Sequence, residues 1–178
     1  MRSSLAPGFG LLLALLPACA APEFDCADPE GSGWTDDRIG PEDQMLDEVN
    51  ARRAAGATCN GVALPAVPDL TSNALLRCAA RRHAVDLGSR DYFDHVSPEG
   101  TAPADRVDDA GYDWSRVAEN LAAGMSSASV AVEGLIQSTT GHCENIMDAD
   151  VTEAGMGSAL IEGSTYTTYW VQVFAAPQ

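Results

Sequence analysis

The chain has 178 residues, 46% of them hydrophobic, and a formal net charge of −16. At about 100–200 residues per domain this length suits one domain with an adequate core. Its 26 acidic residues face ten arginines and no lysine, which excludes the basic footprint that nucleic acid needs and simple attraction to an anionic membrane.

Arg2 opens a short positive region, and residues 5–16 form an apolar run that falls short of the about 20 residues a membrane span needs. Small residues follow, so residues 1–18 read as a secretory signal peptide. Leu16-Pro17-Ala18-Cys19 is similar to a bacterial lipobox apart from its proline, which would make Cys19 a lipidated first residue. Ordinary cleavage after Ala20 or Ala21 is the alternative. A lipid on Cys19 is then the one expected route to a membrane, as an anchor and not a span. Residues 19–41 are acidic and rich in glycine, proline and aspartate; they bury little and read as a tether.

The domain proper is expected over residues 42–178. Pro41, Glu42 and Asp43, then apolar Met45, Leu46 and Val49, then Arg52, Arg53 and Gly56, predict a first helix with acids at its start and bases at its end. Residues 61–70 are broken by Pro65 and Pro68 and read as a loop. Thr71 or Ser72 would cap a second helix running to about Gly88, with the stripe Leu76, Ala80, His83, Leu87. A histidine on such a stripe is ordinarily a packed, hydrogen-bonded core residue. A short helix over 103–110 stops at Gly111, and Ser126 or Ser127 would cap a fourth helix, with residues 142–147 adding one more turn. The C-terminus changes character. TEAGMGSALIEG and STYTTYWVQVFAA are β-branched, aromatic and punctuated by glycine, which predicts two antiparallel strands joined near Glu162-Gly163-Ser164. Helices first and strands last give an α+β fold or an α-β-α sandwich, not a wound parallel sheet.

With Cys19 lipidated, Cys26, Cys59, Cys78 and Cys143 remain, an even number that favours two disulfides from three pairings. Their spacings are unlike the close pairs of structural zinc sites. The residues with chemistry gather over 92–120. His95 leaves Tyr92-Phe93 and enters the turn SPEG, Glu119-Asn120 stands at the far end, and His142 follows Gly141 outside the stretch. Two neutral imidazoles and a carboxylate suffice to hold a catalytic zinc with an open position, although no histidine pair occupies one helical turn. The competing reading makes Glu119 and Asn120 loop ties and gives the histidines backbone partners. No G-x-S-x-G nucleophile motif is present.

In the order YFDH, SPEG, ADR–DAGY, AENLAAG, GHCENIM, TEAGMG, YWVQVF, the chain resembles a bacterial member of the CAP family, which includes the cysteine-rich secretory proteins, insect venom antigens and plant pathogenesis-related proteins. The resemblance covers residues 42–175. It implies a three-layer α-β-α sandwich with a small antiparallel sheet, secretion, and a large cleft able to carry two histidines and two glutamates. Some members of the family bind zinc or other divalent metals there, others sterols, fatty acids or glycans, and proteolysis has been proposed for a few. By this resemblance His95 is the first cleft histidine, and Glu119 and Asn120 belong to a G-E-N motif in which Ala118 replaces the glycine. The second histidine's position holds Tyr169, with Gln172 retained; the second glutamate's holds Ser138, with Leu135 in place of a tryptophan. His142 matches a bacterial S-P-G-H pattern and would supply the second imidazole. The implied cleft is therefore His95, Glu119, Asn120, His142, Tyr169 and Gln172, with His95, His142 and Glu119 as ligands for Zn2+. The resemblance also pairs Cys59 with Cys143 and leaves Cys26 with Cys78. Three functions follow, in this order: a non-enzymatic exported or lipid-anchored module that binds a lipid, a glycan or a cell-wall component; a zinc-dependent hydrolase using the same cleft; a surface protein acting through protein contacts.

Overall fold

The computed structural model describes residues 36–178. The expectations for the signal peptide, for Cys19 and Cys26, and for most of the tether lie outside the described residues. In chain order the elements are α1 (Asp36–Ala55), β1 (Ala57–Cys59), β2 (Val62–Leu64), β3 (Thr71–Ser72), α2 (Ala74–Ser89), α3 (Pro103–Asp109), β4 (Trp114–Ala123), α4 (Ala128–Ile136), α5 (His142–Ile146), β5 (Glu153–Leu160) and β6 (Thr168–Pro177). The main sheet has the order β3-β5-β6-β4. Its long strands are antiparallel, and β3 adds two residues parallel to β5. Helices α2 and α3 cover one face and α1, α4 and α5 the other, each layer with its own apolar core. This is the expected α+β sandwich.

Several local expectations are corrected. Helix α1 starts at Asp36 instead of Pro41; acids suit the positive end of a helix dipole, and a proline near that end removes one of few hydrogen bonds. Thr71 and Ser72 do not cap α2. They pair with β5, and Asn73 caps instead, its Oδ1 accepting from the amides of Leu75 and Leu76 at 2.9 and 3.3 Å. Part of the expected loop over 61–70 belongs to a hairpin, β1 with β2, turned at Asn60-Gly61, whose φ values of 51° and 81° are those a two-residue turn requires.

Close approach holds the layers. A Cβ on Gly155 of β5 would lie 2.0 Å from the Leu76 carbonyl carbon, and one on Gly157 would lie 2.4 Å from that of Ala80. Alternate glycines on one strand face thus let α2 lie directly on backbone. Beyond β3 the edge of β5 is closed by α1: Glu42 Oε1 accepts from the Ser158 amide at 3.1 Å, and Oε2 accepts from Arg81 Nη2 at 2.7 Å in a buried pair. Arg53, fully buried, donates to the carbonyls of Pro68, Ile146 and Asp148 and so fixes both connections beside α5. The Cys59–Cys143 disulfide, Cα–Cα 5.5 Å, ties the hairpin to α5 as expected. Cys78 is disulfide-bonded as well.

Candidate functional site

Glu119 and Asn120 lie in the middle of β4, not in a loop. The sequence does not predict this strand, because Trp-Ser-Arg-Val-Ala-Glu-Asn-Leu-Ala-Ala lacks β-branched alternation. Pairing with β6 makes it a strand, as tertiary context commonly does. Successive residues of a strand face opposite ways, so this dipeptide splits between the two layers.

On the α2–α3 side, Glu119 is held by polar groups of three elements. Arg106 Nη2 donates to both its oxygens at 3.1 and 2.9 Å, and His95 Nδ1–H donates to Oε1 at 2.9 Å. His83 Nε2 stands 3.8 Å from Oε1 and donates to the Asp94 carbonyl at 3.1 Å. The Glu119 side chain is 1% exposed. The same guanidinium donates to the carbonyls of Thr101 and His95 at 3.0 and 2.9 Å. One arginine of α3 thereby fastens the 95–101 loop to the carboxylate. The SPEG turn closes on itself, with Ser97 N donating to Thr101 O and Thr101 N to Ser97 Oγ, and Gly100 takes the left-handed φ of 93°. Burial drives the His83 pKa down to about 4, with the Glu119 charge opposing that shift; His83 is therefore neutral at neutral pH.

On the opposite side, Asn120 donates to the His142 carbonyl and to Gln172 Oε1, both at 3.0 Å, and accepts from Asn145 at 2.9 Å. Asn120 and Gln172 are fully buried. His142 Nδ1 meets Ser138 Oγ at 2.9 Å, so the serine at the glutamate position holds the histidine. Burial lowers the His142 pKa, and the charge of nearby His95 lowers it further.

The expected six-residue cleft therefore assembles only in part. His95 and Glu119 meet directly, and His142 comes within electrostatic reach of His95. Asn120 and Gln172 turn to the other face. Tyr169 shares the face of Glu119 but pairs with Ala123, four residues along β4, about 13 Å away at 3.3 Å per residue; its hydroxyl lies 3.5 Å from Asp91. Among the described residues no three His, Cys, Asp or Glu side chains converge to hold a metal ion. With Glu119 engaged by Arg106 and His95, the donor set expected for Zn2+ does not come together in this arrangement. His83 is the packed, hydrogen-bonded core histidine that its stripe predicts, and Arg106 is the part that sequence reasoning misses; its one hint is a lone cation in the acidic helix PADRVDD.

What remains open is a groove of about 400 Å³, lined by His95 and Glu119, by residues 102–104 at the start of α3, and by Trp114, Val117 and Ala118. Its walls are mainly apolar, with one half-exposed imidazole at the polar end.

A family model described as CAP, cysteine-rich secretory protein family, matches residues 46–174. The uncharacterized protein YkwD of Bacillus subtilis is 30% identical over 93 residues, which is 52% of this chain and 35% of the relative. The chain thus spans about a third of that relative's length. An extracellular SCP-domain protein of Bacillus anthracis superposes with a TM-score of 0.63 at 24% identity, covering 80% of this chain and 44% of the other. An outer surface protein of Borrelia burgdorferi superposes with a TM-score of 0.61 at 18% identity, covering 76% of this chain and 94% of the other.

Proposed function

The chain belongs to the cysteine-rich secretory protein family, and on that premise we propose that it is an exported or lipid-anchored, non-enzymatic binding module whose groove takes up a lipid, a glycan or a cell-wall component. One observation carries the reading. The buried carboxylate of the groove, Glu119, is spent on Arg106 and His95, and no serine, threonine, cysteine or lysine lines the opening, so the His95 imidazole has no side-chain nucleophile to activate. The surface left for a ligand is the apolar wall of Trp114, Val117 and Pro103 with the His95 imidazole at one end, which suits a ligand with an apolar body and a polar head. The extracellular and outer-surface proteins that share the fold support export. So does the expected leader. No helix among the described residues is long and apolar enough to cross a membrane.

The test is co-sedimentation and calorimetric titration with envelope lipids, envelope glycans and cell-wall fragments. The wild-type chain should bind one of them saturably, and Ala104→Trp, which fills the groove, should abolish binding while the fold persists. Hydrolysis of a peptide or ester that a chelator abolishes and zinc restores would replace this reading with the enzyme. Binding that Ala104→Trp leaves intact would move the function to a contact surface elsewhere.

A further inference from the structure

The two edges of the main sheet are finished differently. Along β5 the edge is sealed by α1 through Glu42 and the Ser158 amide. The other edge is β4. There Gly124 N donates to Thr168 O, which sets the parity of the ladder. Ala118, Asn120 and Ala122 turn their backbone groups towards β6, while Val117, Glu119 and Leu121 turn theirs outward. The Asn145 amide that donates to the Glu119 carbonyl at 3.4 Å comes from that outer side. Among the described residues it is the one hydrogen bond to the outward backbone groups of Val117 and Glu119.

The groove lies along this edge. Val117 and Ala118 point to opposite faces of the sheet, yet both line it, and a groove touched from both faces of one strand runs beside the strand. Its far wall is His95 and residues 102–104.

We propose that the groove binds an extended peptide segment, which adds beside β4 as a further strand. The N–H and C=O of Val117 and the N–H of Glu119 pair with the peptide backbone. An apolar side chain of the peptide rests on Trp114 and Pro103. The net charge of −16 selects for basic residues in the partner. The proposal rests on the groove being a binding site and names a peptide, not a lipid or a glycan, as its occupant.

The experiment uses the full chain with its disulfides formed and four probes: a short blocked peptide of alternating valine and threonine flanked by arginines, the same peptide N-methylated on the alternate residues of one edge, an oligosaccharide, and a fatty acid. Binding is followed by titration, and amide exchange at Val117 and Glu119 is followed by NMR. The plain peptide should bind and slow exchange at both amides. N-methylation should weaken it about fivefold or more, since each lost hydrogen bond is worth about 1 kcal/mol. Val117→Pro removes an outward N–H but no ladder bond and should weaken the peptide similarly. If that variant fails to fold, the methylated peptide against the wild type decides. Equal affinity of the two peptides, or binding with no slowing at Val117 and Glu119, overturns strand addition. Binding of oligosaccharide or fatty acid alone, blocked by Ala104→Trp, overturns the peptide and keeps the groove as a binding site. No binding by any probe overturns both.

Discussion

Replacing Arg106 by methionine tests the polar centre of the site most directly. In the wild type its guanidinium meets both oxygens of a carboxylate whose side chain is 1% exposed, while its own side chain is 10% exposed. Removing one partner of a buried pair leaves the other charge desolvated, at a cost of about 3–5 kcal/mol. Arg106→Met also loses the hydrogen bonds to Thr101 O and His95 O, each worth about 1 kcal/mol. Glu119→Leu alone strands the guanidinium in the same way. The double variant removes both charges, so it should recover about 2–3 kcal/mol relative to the sum of the single variants. The remaining deficit belongs to the loop carbonyls. The assay is urea unfolding at neutral pH, read by circular dichroism and tryptophan fluorescence, completed as a double-mutant cycle. Strict additivity of the two substitutions would refute an energetic pair and, with it, the statement that Glu119 is spent on structure.

Three further outcomes are expected. Gly155→Ala would place a Cβ about 1.4 Å inside ordinary contact with the Leu76 and Arg77 backbone, which no rotamer relieves, so thermal unfolding should show a loss of about 3 kcal/mol or more; Gly134→Ala, with only Met125 Cε at 3.6 Å, should be neutral to about 1 kcal/mol stabilising. His83 titrates near 4 in the folded chain against about 6.5 unfolded, so the unfolded state binds more protons between these values and stability rises with pH across them. That contribution, on the order of 3 kcal/mol, is fully present above about 6.5 and lost as the pH falls towards 4; chemical denaturation of His83→Gln should show a flatter profile over this window than the wild type. Cys59→Ala with Cys143→Ala opens a link between residues 84 apart in sequence, and equilibrium unfolding should fall by about 4–5 kcal/mol in the chain-entropy model.

What the sequence discloses and what it hides have separate physical causes. Helices α2, α3 and α4 are legible through stripes and caps, because Leu76, Ala80 and Leu87 recur at helical spacing and Ser127 is a good cap. The C-terminal strands are legible through their aromatic and β-branched residues. Strand β4 is hidden, since its alanines favour no sheet and only β6 imposes one. The β1–β2 hairpin is signalled by Asn60-Gly61 but obscured by the prolines that follow. Within the site, the meeting of His95 and Glu119 follows from their motifs. Arg106 does not, because burial of a cation in an acidic helix leaves no periodic trace. Nor can spacing alone reveal that Asn120 and Gln172 lie behind the sheet from His95; strand pleating decides that.

The pleating carries a consequence for how β4 finds its place. A strand reading Val-Ala-Glu-Asn-Leu-Ala-Ala offers alanines to both layers, and hydrophobicity alone discriminates poorly between one alignment with β6 and its neighbour. A slip of one residue would exchange every side chain between the layers. It would drive a carboxylate against the Gln172 amide and leave Arg106 facing Asn120, with an unmatched charge in each core. The opposed pair Glu119-Asn120 therefore acts as a key for strand alignment. Polar residues that look like ligands are also what allows an alanine-rich edge to settle in a single register.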